Sequence, residues 1–271
     1  MILSNYHTHT KYCDGKNTVD EMVQKAIELG YTSLGFSGHV YAYFANAWCM
    51  TKQGTVNYIN DVAAAKEKYK DKINIYCGIE QDYFAMDDGH KYDYVIGSVH
   101  RVRAPGGDFV DVDNTAEAQL YGVDEYYDGD YMAFAEDYFR QMADVVNKTK
   151  CHIVGHFDLL AKFNENDEMF DTYSHRYIKA WKEALDALLE NKDIVFEVNT
   201  GAIGRGYRTS PYPEPAMLEY IKRGGGTVIV TSDCHNAAML DCGVKAAYEF
   251  VESIGVKCID FEDFIKEGKT R

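Results

Sequence analysis

The chain has 271 residues, of which 46% are hydrophobic, enough for one large core or two smaller ones. Its 43 acidic side chains outnumber the 28 basic ones, which gives a formal net charge of −15. A field of that sign disfavours nucleic acids and anionic membranes as partners, although a bound metal ion would reverse it locally.

The sequence also lacks targeting signals. It contains no apolar run of about 18 residues, and its first residues lack the basic segment and apolar core of a signal peptide. Seven cysteines are scattered without a C-x-x-C pair, which favours reduced thiols over disulfides or a cysteine zinc site. We therefore expect a cytoplasmic protein, and no oligomeric state is indicated.

Short β-rich runs alternate with helical patterns along the chain. The first helix has Thr18 as its N-cap, Glu21 in a capping box and Gly30 at its end. In chain order, the predicted elements are strand 1–6, helix 18–30, strand 31–39, helix 55–72, strands 73–82, 92–100 and 150–158, helix 172–192, strand 193–201, helix 214–225 and strand 226–235.

This alternation predicts an α/β fold with a mainly parallel sheet and helices outside it. Seven candidate strands favour a barrel, and an open doubly wound sheet is the alternative. Because no internal repeat or linker is evident and prolines number only four, we predict a single domain over residues 1–271.

Residues 103–150 depart from the rhythm. They are rich in Asp, Glu and Tyr, and their second half has a helical pattern. We interpret them as an insertion that covers one face, since long connections in compact domains are often lids or binding loops. Its acidic side chains predict a solvated face, or alternatively a lid that meets a cationic part of a substrate.

Six of the predicted strands end in side chains that commonly bind metal ions. They are His7 and His9, His39, Glu80, His100, His156, and Asp233 with His235. A lone His-x-His pair is more often a surface feature than a metal site. In a parallel barrel, however, the C-terminal strand ends share one face, where active sites assemble. The set as a whole therefore predicts a metal site.

The chemistry of these side chains narrows the kind of site. Imidazole and carboxylate ligands without thiolate fit zinc, iron or manganese in a hydrolytic centre. Eight side chains are too many for one ion, which favours two or three ions that share a carboxylate. Such clusters activate water and neutralise phosphoryl oxygens, so they favour phosphate-ester hydrolysis; amide hydrolysis and deamination remain alternatives.

Three arginines follow predicted strand ends and are candidates for binding phosphate. Arg101 directly follows His100, and Arg205 with Arg208 lies in the loop after strand 193–201. A guanidinium group can bind phosphate through two parallel hydrogen bonds. A solvated glycine-rich loop is an equal alternative for Arg205 and Arg208.

The assembled residues resemble the polymerase and histidinol phosphatase (PHP) family. The matching stretches are HTHTKYCDGK, GFSGH, GIEQDY, GSVH, GHFDLL, EVNTG and SDCHN, in the family's order between residues 7 and 236. The segment GDYMAFAEDYFRQM is more similar to the histidinol-phosphate phosphatase subgroup than to polymerase-associated members. This resemblance implies a distorted (β/α)7 barrel with three divalent ions (Zn, Mn or Fe) at its C-terminal face.

The resemblance also implies how the ligands are divided. His7, His9, Glu80 and Asp233 would hold one ion, Glu80, His100 and His156 a second, and Asp14, His39 and His235 a third. Asp14 enters only through the resemblance, because its D-G context otherwise indicates a turn. One residue departs from the family pattern: Gly38 stands where an acidic residue is common.

The implied activity is hydrolysis of a small phosphomonoester, L-histidinol phosphate, to L-histidinol and phosphate in histidine biosynthesis. Glu80 would lie beside the attacking water, and Asp233 would orient that water or protonate the leaving alkoxide. Arg205, Arg208 and Arg101 would bind the phosphate. The alternatives are a family phosphoesterase with another substrate, such as a nucleotide or phosphotyrosine, and a metal-binding module without catalysis.

Overall fold

The computed structural model describes residues 3–44 and 47–266, so the first two residues of predicted strand 1–6 and both ends of the predicted domain lie outside the described residues. The strands are β1 (Ser4–Asn5), β2 (Ser33–Phe36), β3 (Asn74–Asp82), β4 (Tyr94–Ser98), β5 (Arg101–Arg103), β6 (Phe109–Asp111), β7 (Ile153–Val154), β8 (Val195–Asn199), β9 (Thr227–Thr231) and β10 (Lys257–Cys258). The α-helices are α1 (Val19–Glu28), α2 (Lys52–Tyr69), α3 (Ala116–Tyr127), α4 (Tyr131–Thr149), α5 (His175–Leu189), α6 (Gly201–Gly204), α7 (Pro215–Arg223), α8 (Val244–Ile254) and α9 (Phe261–Lys266).

Eight strands form one parallel sheet in the order β1-β2-β3-β4-β7-β8-β9-β10. Beyond the C-terminal ends of β1 and β9, the backbone of Thr8 pairs in parallel with that of Cys234. His9 N–H donates to the Cys234 carbonyl at 2.8 Å, and Cys234 N–H donates to the His7 carbonyl at 3.2 Å. The sheet thus closes into a distorted (β/α)7 barrel with β10 as an extra edge strand, and the open doubly wound alternative is wrong.

The interior of the barrel is filled by apolar side chains from alternate strand positions. Ile96, Ile153, Val195 and Ile229 are all buried there, and they pack with four aromatic rings. Those rings come from Tyr6, Tyr94 and the two phenylalanines of α9, Phe261 and Phe264. These side chains fill the barrel interior, and the large cavity is lined by residues at the C-terminal ends of the strands.

Tyr94 explains two glycines of the barrel. Its hydroxyl donates to the carbonyls of Tyr6 at 2.5 Å and Phe36 at 3.0 Å. A Cβ atom at Gly35 or Gly78 would overlap this ring. The glycines therefore allow the tyrosine to cross the barrel interior and tie β1 and β2 together.

The helix caps confirm the predicted start of α1 and correct the predicted start of α2. Thr18 and Glu21 form the predicted capping box, and Gly30 follows the helix with a φ of 80°. The second helix begins at Lys52, three residues before the predicted Thr55, because the Thr51 side chain accepts a hydrogen bond of 2.9 Å from Gly54 N–H.

The segment 103–150 contains two kinds of structure. Its helical second half is confirmed as α3 and α4, and α4 packs against α5 and β4 as an ordinary barrel helix. Its first half completes the antiparallel hairpin β5–β6, after which Asp113 and Asn114 line the large cavity described below. Only the hairpin and the turn after it therefore border the candidate site.

Two further findings concern expectations from composition. All seven cysteines are free thiols. Within residues 3–44 and 47–266, none of the helices combines the length and the apolar character that crossing a membrane requires.

Candidate metal centre

A cavity of about 620 Å³ opens at the C-terminal end of the barrel. Seven of the nine predicted ligands line it, namely Asp14, His39, Glu80, His100, His156, Asp233 and His235. His7 and His9 are completely buried and contact Glu80 and Asp233. All nine side chains predicted to bind metal are thus brought together in one place.

Most of these side chains lie just past the strands rather than at their last residues. Glu80 is inside β3, whereas His100, His156 and Asp233 each lie two residues beyond β4, β7 and β9. His39 lies beyond β2 and pairs by an isolated parallel bridge with Glu80. The ligands therefore occupy short irregular segments that are held by the ends of the strands.

Glu80 is at the centre of the cluster, and its Oε1 atom faces two imidazoles. His156 Nε2 lies 3.0 Å and His100 Nε2 lies 3.4 Å from Oε1. The Ser98 hydroxyl donates to the same oxygen at 2.6 Å. The carboxylate is thus fixed in orientation by the neighbouring strand β4.

The Oε2 atom of Glu80 faces three other imidazoles. His39 Nδ1 lies at 2.9 Å, His7 Nε2 at 3.3 Å and His9 Nε2 at 3.5 Å. One carboxylate therefore lies between five histidines, with its two oxygens directed to two different groups of them. This is the arrangement expected of a carboxylate shared between ions.

Asp233 approaches the same histidines from β9. Its Oδ1 atom lies 3.2 Å from His9 Nε2 and 3.5 Å from His7 Nε2, and its Oδ2 atom accepts a hydrogen bond of 3.0 Å from Arg205. The residue has a φ of 45°, in the left-handed region. Aspartate tolerates this conformation better than most residues, and such backbone strain often occurs at functional sites.

Asp14 is brought into the cluster despite its position in a turn. Its Oδ1 atom lies 3.3 Å from His235 Nε2, 3.7 Å from His39 Nε2 and 3.8 Å from His9 Nδ1. The geometry thus places this carboxylate among three histidines. Beside it, a Cβ atom at Gly38 would contact only Met50 and Cys13, at 3.3 and 3.4 Å.

Three sets of side chains in the described part of the chain have ligand atoms within 4.8 Å of one another. They are His7 with His9 and Asp233; His9 with Asp14, His39 and His235; and His39 with Glu80 and His100. His9 and His39 each belong to two sets, whereas the sequence prediction gave each of them to one ion. The division of ligands among three ions stays a prediction.

The cluster fits divalent cations on the evidence of its own unsatisfied atoms. Among the residues that the structure describes, His7 Nε2, His9 Nε2 and Glu80 Oε2 are buried and have no hydrogen-bond partner. Leaving buried polar atoms unpaired costs about 1–3 kcal/mol each. Because these atoms converge and are all good ligands for zinc-type ions, a bound cation would satisfy them together.

The charges of the cluster support this interpretation. Burial lowers the pKa of His7, but Glu197, Asp233 and Glu80 outweigh burial and hold it well above its ordinary value. Burial together with the neighbours His235 and His39 lowers the pKa of His9 to about 3. The carboxylates around His7 therefore attract positive charge, while His9 stays neutral and able to bind a metal.

The sequence analysis missed Glu197 in β8. This completely buried carboxylate accepts hydrogen bonds from His7 Nδ1 at 2.5 Å, Thr231 Oγ1 at 2.6 Å and His156 N–H at 2.7 Å. It thus orients two of the candidate ligands. A charged residue inside the otherwise apolar run VFEV was the signal that could have identified it.

The three predicted phosphate-binding arginines lie in different surroundings. Arg205 and Arg101 line the cavity, and Arg101 is paired with Asp111 at 2.6 Å. Arg208 is buried outside the described lining of the cavity, where it donates to the Ala161 carbonyl at 3.0 Å. The guanidinium group of Arg208 is thus held by the protein itself, and its role in binding phosphate stays a prediction.

Known proteins resemble this chain along most of its length. A Schizosaccharomyces pombe protein named "Probable histidinol-phosphatase" is 22% identical, over 94% of this chain and 88% of its own. The Bacillus subtilis histidinol-phosphatase is 23% identical, over 90% and 97%. A solved structure of histidinol phosphate phosphatase from Lactococcus lactis, in complex with zinc, L-histidinol and phosphate, superposes with a TM-score of 0.74 at 22% identity, covering 95% of each chain.

The family resemblance seen in the sequence motifs is confirmed. A family model described as the PHP domain matches residues 5–201, from the first strand through β8. That range includes seven of the nine candidate ligands, Asp14 among them, together with Glu197. Because the match covers well over half of the chain, the protein belongs to the PHP domain family.

Proposed function

We propose that this protein is a metal-dependent phosphomonoesterase that hydrolyses L-histidinol phosphate to L-histidinol and inorganic phosphate. The observation that carries the proposal is the convergence of six histidines and three carboxylates on one cavity, with Glu80 between five of the imidazoles. The names of the relatives, and the zinc, histidinol and phosphate in the Lactococcus lactis structure, support the choice of substrate.

We infer that three divalent ions occupy the cluster, with the ligand sets predicted from the sequence. Zinc is the ion that the named complex supports, and manganese and iron fit the same donors. When bound, such ions lower the pKa of a coordinated water and neutralise charge on phosphoryl oxygens. The surrounding protein supplies ligands whose orientation is fixed by Ser98 and Glu197.

Glu80 and Asp233 have the central roles in this proposal. Glu80 directs its two oxygens to separate groups of histidines, which places it beside any nucleophilic water between them. Asp233 is held at Oδ2 by Arg205, so its Oδ1 faces the histidines and can orient water or pass a proton to the leaving alkoxide.

Phosphate binding falls to Arg205 and Arg101 among the predicted arginines, because both line the cavity. Arg205 also donates from Nη1 to the Asp233 carbonyl at 3.0 Å, so it is anchored at the edge of the cluster. A fixed guanidinium group stabilises negative charge without reorganising during the reaction. We place the reaction in the cytoplasm, in histidine biosynthesis.

The test is steady-state kinetics of protein reconstituted with Zn, Mn or Fe. We expect kcat/KM for L-histidinol phosphate to exceed that for nucleoside monophosphates and a phosphotyrosine peptide at least tenfold, a difference of about 1.4 kcal/mol in transition-state binding. A tenfold preference for a nucleotide would contradict the substrate. Fewer than about two ions per chain, with no phosphatase activity, would indicate a metal-binding module.

Two histidine variants make a matched control for this test. His9→Ala should abolish turnover, since it removes a ligand shared by two sets. His90→Ala changes an exposed loop histidine and should retain the original rate. Equal rates for the two variants would contradict the assignment of the site.

A further inference from the structure

The lining of the cavity contains two acidic residues in addition to those of the metal cluster. Of the described residues that line the cavity, Asp111 and Asp113 are the carboxylates outside the cluster. Asp111 is the last residue of β6, and Asp113 lies two residues beyond it. A cavity built to bind phosphate with metal ions and arginines has no need of additional negative charge, so these carboxylates require another explanation.

The two carboxylates differ in what already binds them. Asp111 accepts a hydrogen bond of 2.6 Å from Arg101 Nε, a charge-assisted contact that neutralises it. Asp113 is bound by Lys162, whose Nζ atom donates to the backbone carbonyl of Asp113 at 2.7 Å. The same atom forms a longer contact of 3.3 Å with Oδ2. The carboxylate of Asp113 therefore keeps acceptor positions for a second cation.

The backbone around Asp113 is held in place. The preceding residue, Val112, donates its N–H to the His100 carbonyl at 2.9 Å and accepts a bond of 2.6 Å from the Gln119 amide. Together with the bond from Lys162, these contacts fix the turn next to a candidate metal ligand. A carboxylate on a fixed turn can recognise a charged group with little loss of conformational entropy.

We propose that Asp113 binds the ammonium group of the substrate and so selects phosphomonoesters that carry an amine close to the ester. This inference rests on the proposed function and identifies a specificity residue within it. In L-histidinol phosphate the amine is on the carbon next to the one that bears the phosphate. An ammonium group so close to the phosphate must enter the same cavity, where Asp113 offers it a carboxylate that Lys162 contacts at Oδ2.

The test compares two substrates that differ only in the amine: 2-aminoethyl phosphate and propyl phosphate. The original protein should favour the amine. Asp113→Asn should lower kcat/KM for aminoethyl phosphate and for histidinol phosphate about 10- to 100-fold, the effect of losing a charge-assisted hydrogen bond, mainly through KM. Hydrolysis of propyl phosphate should be unchanged, which also shows that the variant is folded.

Two further variants complete the design. Asp113→Glu keeps the charge and should keep the preference for the amine, and Asp108→Asn, at an exposed position of the same hairpin, should behave like the original protein. The proposal is overturned if the original protein shows no preference for the amine, if Asp113→Asn retains it, or if both substrates lose activity equally. Failure with histidinol phosphate alone, while the amine preference persists, would instead count against the proposed substrate.

Discussion

Glu197 Oε1 and His7 Nδ1 form a hydrogen bond of 2.5 Å between two completely buried side chains. Because Nδ1 is engaged with the carboxylate, Nε2 is the nitrogen of His7 that is available to a metal ion. That atom faces Glu80 at 3.3 Å and Asp233 at 3.5 Å. The carboxylate thereby fixes both the tautomer and the orientation of a candidate ligand.

Replacing Glu197 by Gln should therefore weaken metal binding. An amide can no longer accept the proton of His7 as a charged partner, and loss of such a supporting group typically costs about 10- to 100-fold in metal affinity. The measurement is zinc binding in competition with a chromophoric chelator. Glu190→Gln, at an exposed helix end, is the control, and equal affinity of the two variants would contradict the role of Glu197.

Replacing Arg205 by Gln should reduce catalysis. The change removes the cation that holds Asp233 by its carboxylate and its carbonyl at 3.0 Å each, together with a fixed positive charge at the cavity. We expect kcat/KM to fall about 100-fold, as for loss of one preorganised donor. Arg223→Gln, on the exposed face of α7, is the matched control. Unchanged kinetics in Arg205→Gln would exclude this role.

Replacing Arg208 by Met should lower the stability of the fold. Arg208 is 6% exposed and is bound to the Ala161 carbonyl and the Ser210 hydroxyl. Arg208→Met would leave the buried Asp158 without the cation beside it, which should cost about 3 kcal/mol in the free energy of unfolding. Chemical denaturation measures this loss. A large fall in kcat of the folded variant, with its stability unchanged, would instead indicate that Arg208 binds phosphate.

Metal removal should lower thermal stability as well as activity. Without cations, the buried atoms of His7, His9 and Glu80 lack hydrogen-bond partners in the described part of the chain, so ions that bind only the folded state would stabilise it. An ion at one hundred times its dissociation constant adds about 2.7 kcal/mol per site. Scanning calorimetry after chelation, and again with added zinc, should show the Tm fall and recover. A Tm that does not change when zinc is added would contradict the presence of a metal site.

A separate prediction concerns how the stability of the contact between α9 and β3 depends on pH. Burial raises the pKa of Glu262 in α9, but hydrogen bonds from Tyr76 and Lys266 outweigh burial and hold it below its ordinary value. The carboxylate form therefore stabilises the fold. Its contribution is present above the unfolded pKa of about 4.3 and is lost as the pH falls through the folded value.

Glu262→Gln should accordingly be less stable than the original protein at pH values near neutrality, by about 1 kcal/mol. The difference should shrink as the pH falls below about 4, where both chains carry a neutral group at this position. Denaturant unfolding of the two proteins at neutral and acidic pH measures it. A difference that does not change with pH would contradict the assignment.

The sequence predicted those features that depend on local pattern. The capping box of Thr18 and Glu21 has only two residues between its members, and the ligands recur at the ends of apolar runs. Since parallel strands in a barrel end on one face, Glu80 and His156 could be placed together without any knowledge of loop geometry. The fold class and the composition of the cluster followed.

Other features depend on three-dimensional detail that local pattern does not contain. Arg205 and Arg208 are neighbours in one glycine-rich loop, and only its folded path directs one to the cavity and the other into the protein. Glu197 lies in a strand buried on both faces, where side-chain alternation does not separate inside from outside. Asp14 looked like a turn residue because its contacts with His39 and His235 come from distant parts of the chain.

The pairing of Thr8 with Cys234 joins the first strand of the barrel to the last full one, and both segments carry candidate ligands on either side of the pair. A fragment that lacks the segment around Thr8 or the segment around Cys234 cannot form this seam. A nascent chain therefore acquires its complete ligand set only after nearly all of it has been synthesised and the barrel has closed. If the proposed ions bind, they would find their complete set of ligands only after the barrel has closed, late in folding.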